Sequence, residues 1–230
     1  MLLSANPLIM AIEPESGFYT EDVMDFWRPN YCDAALVNGK YSCDLYLRVL
    51  DKVWQQYSEL SQRKFSDHNY FCYHVPVPRL VEKAQRRLLK LATGEEATDE
   101  QARAQVVHAL CYGREIGNCY TAALYISLLS LLETVDKDVT NCRVGLYSYG
   151  AGCVGEFFSG VVQEGYYGML NVEYHRQLLT ARKSLSYQEY EDFYNFKLPI
   201  DGSLTTIPQY TKGKFRLAAV EQHKRIYEHG

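Results

Sequence analysis

The stretch "GNCYTAALYISLLSLLE", residues 117–133, restricts the fold of this chain more than any other. After a break at Gly117-Asn118 it predicts a helix that is apolar on nearly all of its faces. A surface helix carries one apolar stripe and one polar face, whereas a helix apolar all round has to be covered. The chain must therefore place this segment in the middle of a layered structure. It is too short to span a bilayer.

A strand that can form part of such a structure is written into "NYFCYHVPVPRLVEKA", residues 69–84. Asn69 to Val75 is dense in aromatic and β-branched residues, which suit a pleated, half-buried surface. Pro76 and Pro78 lack the N–H that a sheet ladder needs, so the strand stops there. Beyond Pro78 the period changes: Leu80 or Val81, Ala84, Leu88 and Leu91 fall on one helical face. His74 thus lies at the carboxyl end of a strand, just before a helix. Ligand crevices of α/β sheets open at that position.

Other segments add strands and helices. "LLSANPLIMAIE" reads as two strands around an Asn6-Pro7 turn, and residues 14–42 as irregular. Ser42 is the expected N-cap of a helix reaching about residue 60, with Tyr46, Val49, Val53, Tyr57 and Leu60 along its stripe. A Thr/Asp-started helix leads toward Cys111. "CRVGLYSYGAGCVGEFFSGVV" reads as strand, tight turn, strand; "HRQLLTARKSLSYQEYEDFYNF" as two amphipathic helices; "GKFRLAAVEQHKRIYEHG" as a strand and a charged tail. No internal repeat or low-complexity linker interrupts the 230 residues, so a mixed α/β single domain is expected.

Charge and cysteine usage exclude several classes of function. A net charge of -4 argues against a nucleic-acid partner, since phosphate binding wants a basic stripe. "MLLSANPLIMAIEPESG" lacks the basic start of a secretory signal, and no apolar run is long enough for a membrane. The seven cysteines, at 32, 43, 72, 111, 119, 142 and 153, show neither CxxC spacing nor a zinc-finger pattern. They read as free thiols of a reducing cytoplasm, with no metal site.

Three segments share one design, a regular element that breaks at a small or polar residue. His74 reads either as a core histidine bonded to a backbone carbonyl or as a proton donor near neutral pH. Asn118 either caps the following helix or points its amide at a carbonyl oxygen, with Gly117 allowing close approach. Ser148, Gly150 and Gly152 of "SYGAG" offer a hydroxyl and free N–H groups, or form a plain turn. Arg79 and Lys83, spaced i and i+4 at the start of the helix after His74, suit an anionic ligand or a solvated basic face.

Together "FYTEDVMDFWRPNY", "VNGKYS", "FCYHVPVPRLVEKA", "GNCYTAALYISLLSLLE" and "GLYSYGAGCVGEFFSG" closely resemble the 3-hydroxy-3-methylglutaryl-CoA synthase family, in particular its bacterial form. The blocks follow the family's order over most of residues 8–165, while residues 186–230 match more loosely. The resemblance implies a thiolase-like fold, with this chain as the C-terminal half plus helical insertions. It also implies a Claisen-type condensation of an acetyl thioester with acetoacetyl-CoA, with acyl thioesters as substrates and no other cofactor. By the same resemblance, His74 polarises the acetoacetyl group, and Asn118 and Ser148 contact acyl oxygens. Tyr120 and Gly150 lie in the substrate-binding motifs, and Arg79 and Lys83 match basic positions facing CoA. Arg79 replaces a more usual lysine.

The resemblance also implies a nucleophilic cysteine and a glutamate base in an N-terminal half. No cysteine here has the context of that nucleophile. The expectation is a chain inactive alone, completed by an N-terminal half that is a separate partner or a missing segment, and dimeric when complete. Two other readings stay open: a related synthase of polyketide β-branching that uses acyl carrier protein, and a non-catalytic acyl-CoA-binding or scaffold subunit.

Overall fold

The computed structural model describes residues 2–209 and 213–229. They form two compact units, residues 1–179 and 180–230, where the sequence pattern predicts one. The first unit is built on a four-stranded sheet of β1 (Met10–Thr20), β4 (Tyr70–Tyr73), β5 (Arg143–Gly150) and β6 (Val154–Val162). The strand order is β1-β6-β5-β4. β6 runs antiparallel to both of its neighbours, and β4 and β5 are parallel. β2 (Phe26–Trp27) and β3 (Leu36–Val37) form a separate two-stranded ribbon.

Side chains alternate across the sheet and build a core on each face. Phe71 and Tyr73 of β4, Tyr147 and Tyr149 of β5 and Phe157 of β6 pack with α1 (Gly39–Ser61) and α2 (Pro78–Thr93). Cys72, Val144, Leu146 and Val162 belong to the second core, with α3 (Asp99–Ile116) and α4 (Ala123–Thr134). The mixed sheet layered with helices is the architecture the sequence predicts. α4 is its apolar helix: Ala123, Leu124 and Leu131 are buried, whereas Tyr125, Ile126, Leu128 and Leu129 are half-buried.

Local chemistry explains most element ends. Pro78 opens α2 at its first position, and Gly94, with φ +78°, closes it. Thr98 and Gln101 form a capping box on α3, which continues past Cys111 to Ile116. Three expectations need correction. β1 is one strand continuing to Thr20, in place of two strands and an irregular stretch. The N-cap of α1 is Asn38, whose side chain accepts from the Tyr41 N–H at 3.3 Å. Ser42 lies inside the helix and donates to the Asp25 carboxylate at 2.8 Å.

α5 (Val172–Thr180) and α6 (Tyr187–Tyr194) are the two helices expected there. The second unit ends in a three-stranded sheet, β7 (Thr205–Thr206), β8 (Phe215–Glu221) and β9 (Lys224–His229). The expected charged tail is therefore the hairpin strand β9. Gln222 and His223 both have positive φ, as a tight two-residue hairpin turn requires.

Candidate active site

The parallel pairing of β4 with β5 sets Tyr73 against Tyr147, so His74 and Ser148 follow side by side at the carboxyl ends of the two strands. The His74 N–H donates to the Tyr147 carbonyl at 2.7 Å, and its own carbonyl accepts the Tyr46 hydroxyl at 2.8 Å. Both peptide groups are held before the ring makes any contact. The ring is half-buried, and that burial lowers its pKa from 6.5, opposed by a hydrogen bond to the Tyr120 backbone. Neutral imidazole is thus the favoured form at pH 7.

Asn118 arrives from another direction. Gly117, at φ +84°, ends α3 and donates its N–H to the Gly113 carbonyl at 3.0 Å. Asn118 Oδ1 accepts the Tyr120 N–H at 2.8 Å. The oxygen being engaged, Nδ2 is the end of the amide left to donate. A short 3-10 turn, Tyr120–Ala122, then leads into α4.

His74, Asn118, Tyr120, Ser148 and Gly150 all line one cavity of ≈ 540 Å³. Five of the seven residues to which the resemblance gives a role therefore meet. Phe26, Val37, Leu80, Leu124 and Tyr125 give that cavity apolar walls. Arg79 and Lys83 line a different basin of ≈ 490 Å³ beside α2, although Leu80 between them lines the first. In that basin Arg86 pairs with Asp99 at 2.6 Å, Lys90 with Glu96, and Arg103 with Glu82 at 3.4 Å. Among the described residues Arg79 and Lys83 have no ion pair.

Sequence reasoning missed the carboxylate that organises this wall. Asp25 is fully buried and accepts three hydrogen bonds: the Ser42 hydroxyl at 2.8 Å, the Tyr149 hydroxyl at 3.0 Å and the Gly152 N–H at 3.0 Å. It joins α1, β5 and the turn after Ser148. Charged hydrogen bonds of this kind are about twice as strong as neutral ones. Its place inside "DFWRP" was the available signal, since a charged residue beside aromatic ones wants partners when buried.

Chemically, the cavity presents an amide donor, a hydroxyl and a titratable imidazole, a set fitted to bind and polarise a carbonyl oxygen. Cys43 is the thiol that lines it. Cys72 is buried and pushed up to about 12, and burial also raises Cys153. Among the described residues no cluster of metal-binding side chains occurs, and no helix is long and apolar enough to cross a membrane.

Residues 10–102 and 90–200 match the family described as "Hydroxymethylglutaryl-coenzyme A synthase C terminal". The hydroxymethylglutaryl-CoA synthase of Enterococcus faecalis is 33% identical over 227 residues, covering 99% of this chain and 58% of its own length. A crystal structure of HMG-CoA synthase complexed with CoA superposes with a TM-score of 0.85 at 31% identity, covering 98% of this chain and 58% of that one. The curacin biosynthetic pathway HMG synthase, in complex with holo donor-ACP, gives 0.88 at 27% identity, over 99% and 59%. The chain thus spans less than two thirds of the length of these relatives, and shares their thiolase-like fold. By family model and sequence, this chain belongs to the hydroxymethylglutaryl-coenzyme A synthase family and corresponds to its C-terminal part.

Proposed function

We propose that this chain forms the acyl-acceptor side of a hydroxymethylglutaryl-CoA synthase, an acyltransferase of the mevalonate route to isoprenoids. It binds acetoacetyl-CoA and stabilises the ketone oxygen while a carbanion from an acetyl thioester attacks the adjacent carbon. Hydrolysis then releases 3-hydroxy-3-methylglutaryl-CoA and CoA. The observation that carries this reading is the meeting of His74, Asn118 and Ser148 in one cavity.

As the new C–C bond forms, negative charge grows on the ketone oxygen. Asn118 Nδ2 and the Ser148 hydroxyl donate to it, and His74, in its less populated imidazolium form, gives the proton that makes the 3-hydroxyl and returns to neutral imidazole. Burial makes that imidazolium a stronger acid, which favours the transfer. The nucleophilic cysteine and the glutamate base come from an N-terminal half, on a partner chain or on a segment beyond residues 1–230. The complete unit is a cytoplasmic homodimer that needs only its thioester substrates. The seven unpaired thiols support a reducing compartment.

The test is His74→Ala in the completed enzyme. Acetylation of the partner cysteine by labelled acetyl-CoA should persist, while single-turnover condensation falls by roughly 10²–10³-fold. Equal loss of both steps would contradict the assignment.

A second reading is supported by Arg79 and Lys83, which have no ion pair among the described residues, and by the likeness to a synthase solved with a donor-ACP. In it the acyl donor arrives on an acidic carrier protein drawn to that basic basin. Turnover with free acetyl-CoA would favour the first reading, and turnover with carrier-bound acetyl alone the second.

A further inference from the structure

His74 lies one residue past the end of its ladder. β4 and β5 pair as far as Tyr73 opposite Tyr147, and Pro76 has no N–H with which to prolong the pairing. The strand end is held instead by a ring of three long-range hydrogen bonds. The His74 N–H donates to the Tyr147 carbonyl at 2.7 Å. The Tyr147 hydroxyl donates to the Tyr46 carbonyl at 2.8 Å, and the Tyr46 hydroxyl donates to the His74 carbonyl at 2.8 Å. Each of the three residues gives one bond and receives one, and the ring joins α1 to the ends of β4 and β5.

Both phenols are buried, so neither has water as an alternative partner. The Tyr46 ring is also fixed without its hydroxyl: it meets Tyr147 and Tyr149 edge to face, with centroids 5.0 and 5.1 Å away. Tyr46 lines the cavity beside His74. Its hydroxyl proton is committed to the His74 carbonyl, so that group reaches the reaction through His74.

We propose that Tyr46 is a positioning residue, whose hydroxyl fixes the His74 peptide at the strand end and so places the imidazole against the acceptor ketone. Tyr147 acts one step further back, by tying the Tyr46 carbonyl of α1 to β5. The consequence for catalysis rests on the synthase reading of the cavity, though the clamp itself does not.

Tyr46→Phe removes one oxygen and keeps the ring. In the complete enzyme it should lower kcat for condensation roughly tenfold or more, with KM for the acceptor thioester little changed, since a misplacement of about 1 Å can cost about 10²-fold. Hydrogen exchange of the peptide carrying His74 should quicken roughly tenfold, because a carbonyl left without its donor loosens the strand end. Tyr147→Phe should lower kcat by less, and the double variant should fall no further than Tyr46→Phe alone. Unchanged kcat in Tyr46→Phe, even with a lowered urea midpoint, would make the hydroxyl merely structural and overturn the proposal. Losses that multiply in the double variant would overturn it too, because the two phenols would then act separately. Failure of the synthase reading would look different: no form of the enzyme would condense acyl groups, yet exchange at His74 would still separate Tyr46→Phe from wild type.

Discussion

His74 is neutral for a reason internal to the fold. The ring is half-buried, and losing water costs the charged form more than the bond to the Tyr120 backbone returns. Its folded pKa therefore lies below 6.5, the ordinary value of the unfolded chain. Below about pH 6.5 the unfolded state binds more protons at this residue. The stability it contributes is complete above that pH and is lost as pH falls through the lower folded value. An NMR titration should give a His74 midpoint below 6.5, and unfolding measured between about pH 5 and 7 should depend on pH more steeply in wild type than in His74→Gln. A midpoint at or above 6.5 would show that burial does not dominate. This residue was legible in the sequence because Pro76 and Pro78 fix where its strand ends. Asp25 was not, since two of its three partners, Tyr149 and Gly152, lie 124 and 127 residues away in the chain. The local pattern "DFWRP" signals that Asp25 wants partners but does not say which.

β1 shows what a periodicity argument misses at the scale of an element. The expected second strand ends at Glu13, before Pro14, which cannot donate to a ladder. The strand absorbs it in an irregularity instead: Ile12 pairs with Gly160 and Ser16 with Phe158, so four steps along β1 face two along β6. β1 is also an edge strand, where a missing donor is tolerated. Glu13 in that irregular stretch pairs with Arg63 and, at 2.8 Å, with Arg143, which ties β1 to α1's end and to β5. The rest of β1 lies directly under α1. A Cβ on Gly17 would sit 2.1 Å from the Val53 carbonyl oxygen and 2.6 Å from the Tyr57 nitrogen, both helix backbone atoms that cannot swing aside. Gly17→Ala should therefore destabilise by about 1–3 kcal/mol or more, as overpacking of a filled interior does. Urea unfolding should show the loss as a lower midpoint, and an unchanged midpoint would mean that α1 does not rest on β1 this closely. The amphipathic helices, by contrast, were largely legible, because each carries its own stripe, although α1 is capped by Asn38 in place of Ser42 and Leu60 and Leu91 of the expected stripes are exposed.

At the scale of the whole molecule, one question is where the reaction's nucleophile sits. The sheet is covered on both faces, yet α4 keeps Tyr125, Ile126, Leu128 and Leu129 only half-buried, so the most apolar helix is not fully covered among the described residues. The chain spans 58% of the length of its Enterococcus relative. A thiolate is the attacking form, and burial raises Cys72, Cys142 and Cys153 away from it. Cys43 is the thiol that tests the division of labour, because it is exposed and lines the same cavity as His74. Labelled acetyl-CoA added to the purified chain should leave no acetyl thioester on any cysteine, as read by mass spectrometry of the intact and digested protein. Adding the N-terminal part of a synthase should place the label on that partner. Acetyl found on Cys43 would move the nucleophile into this chain, and the proposed split between an acylating half and an accepting half would fail.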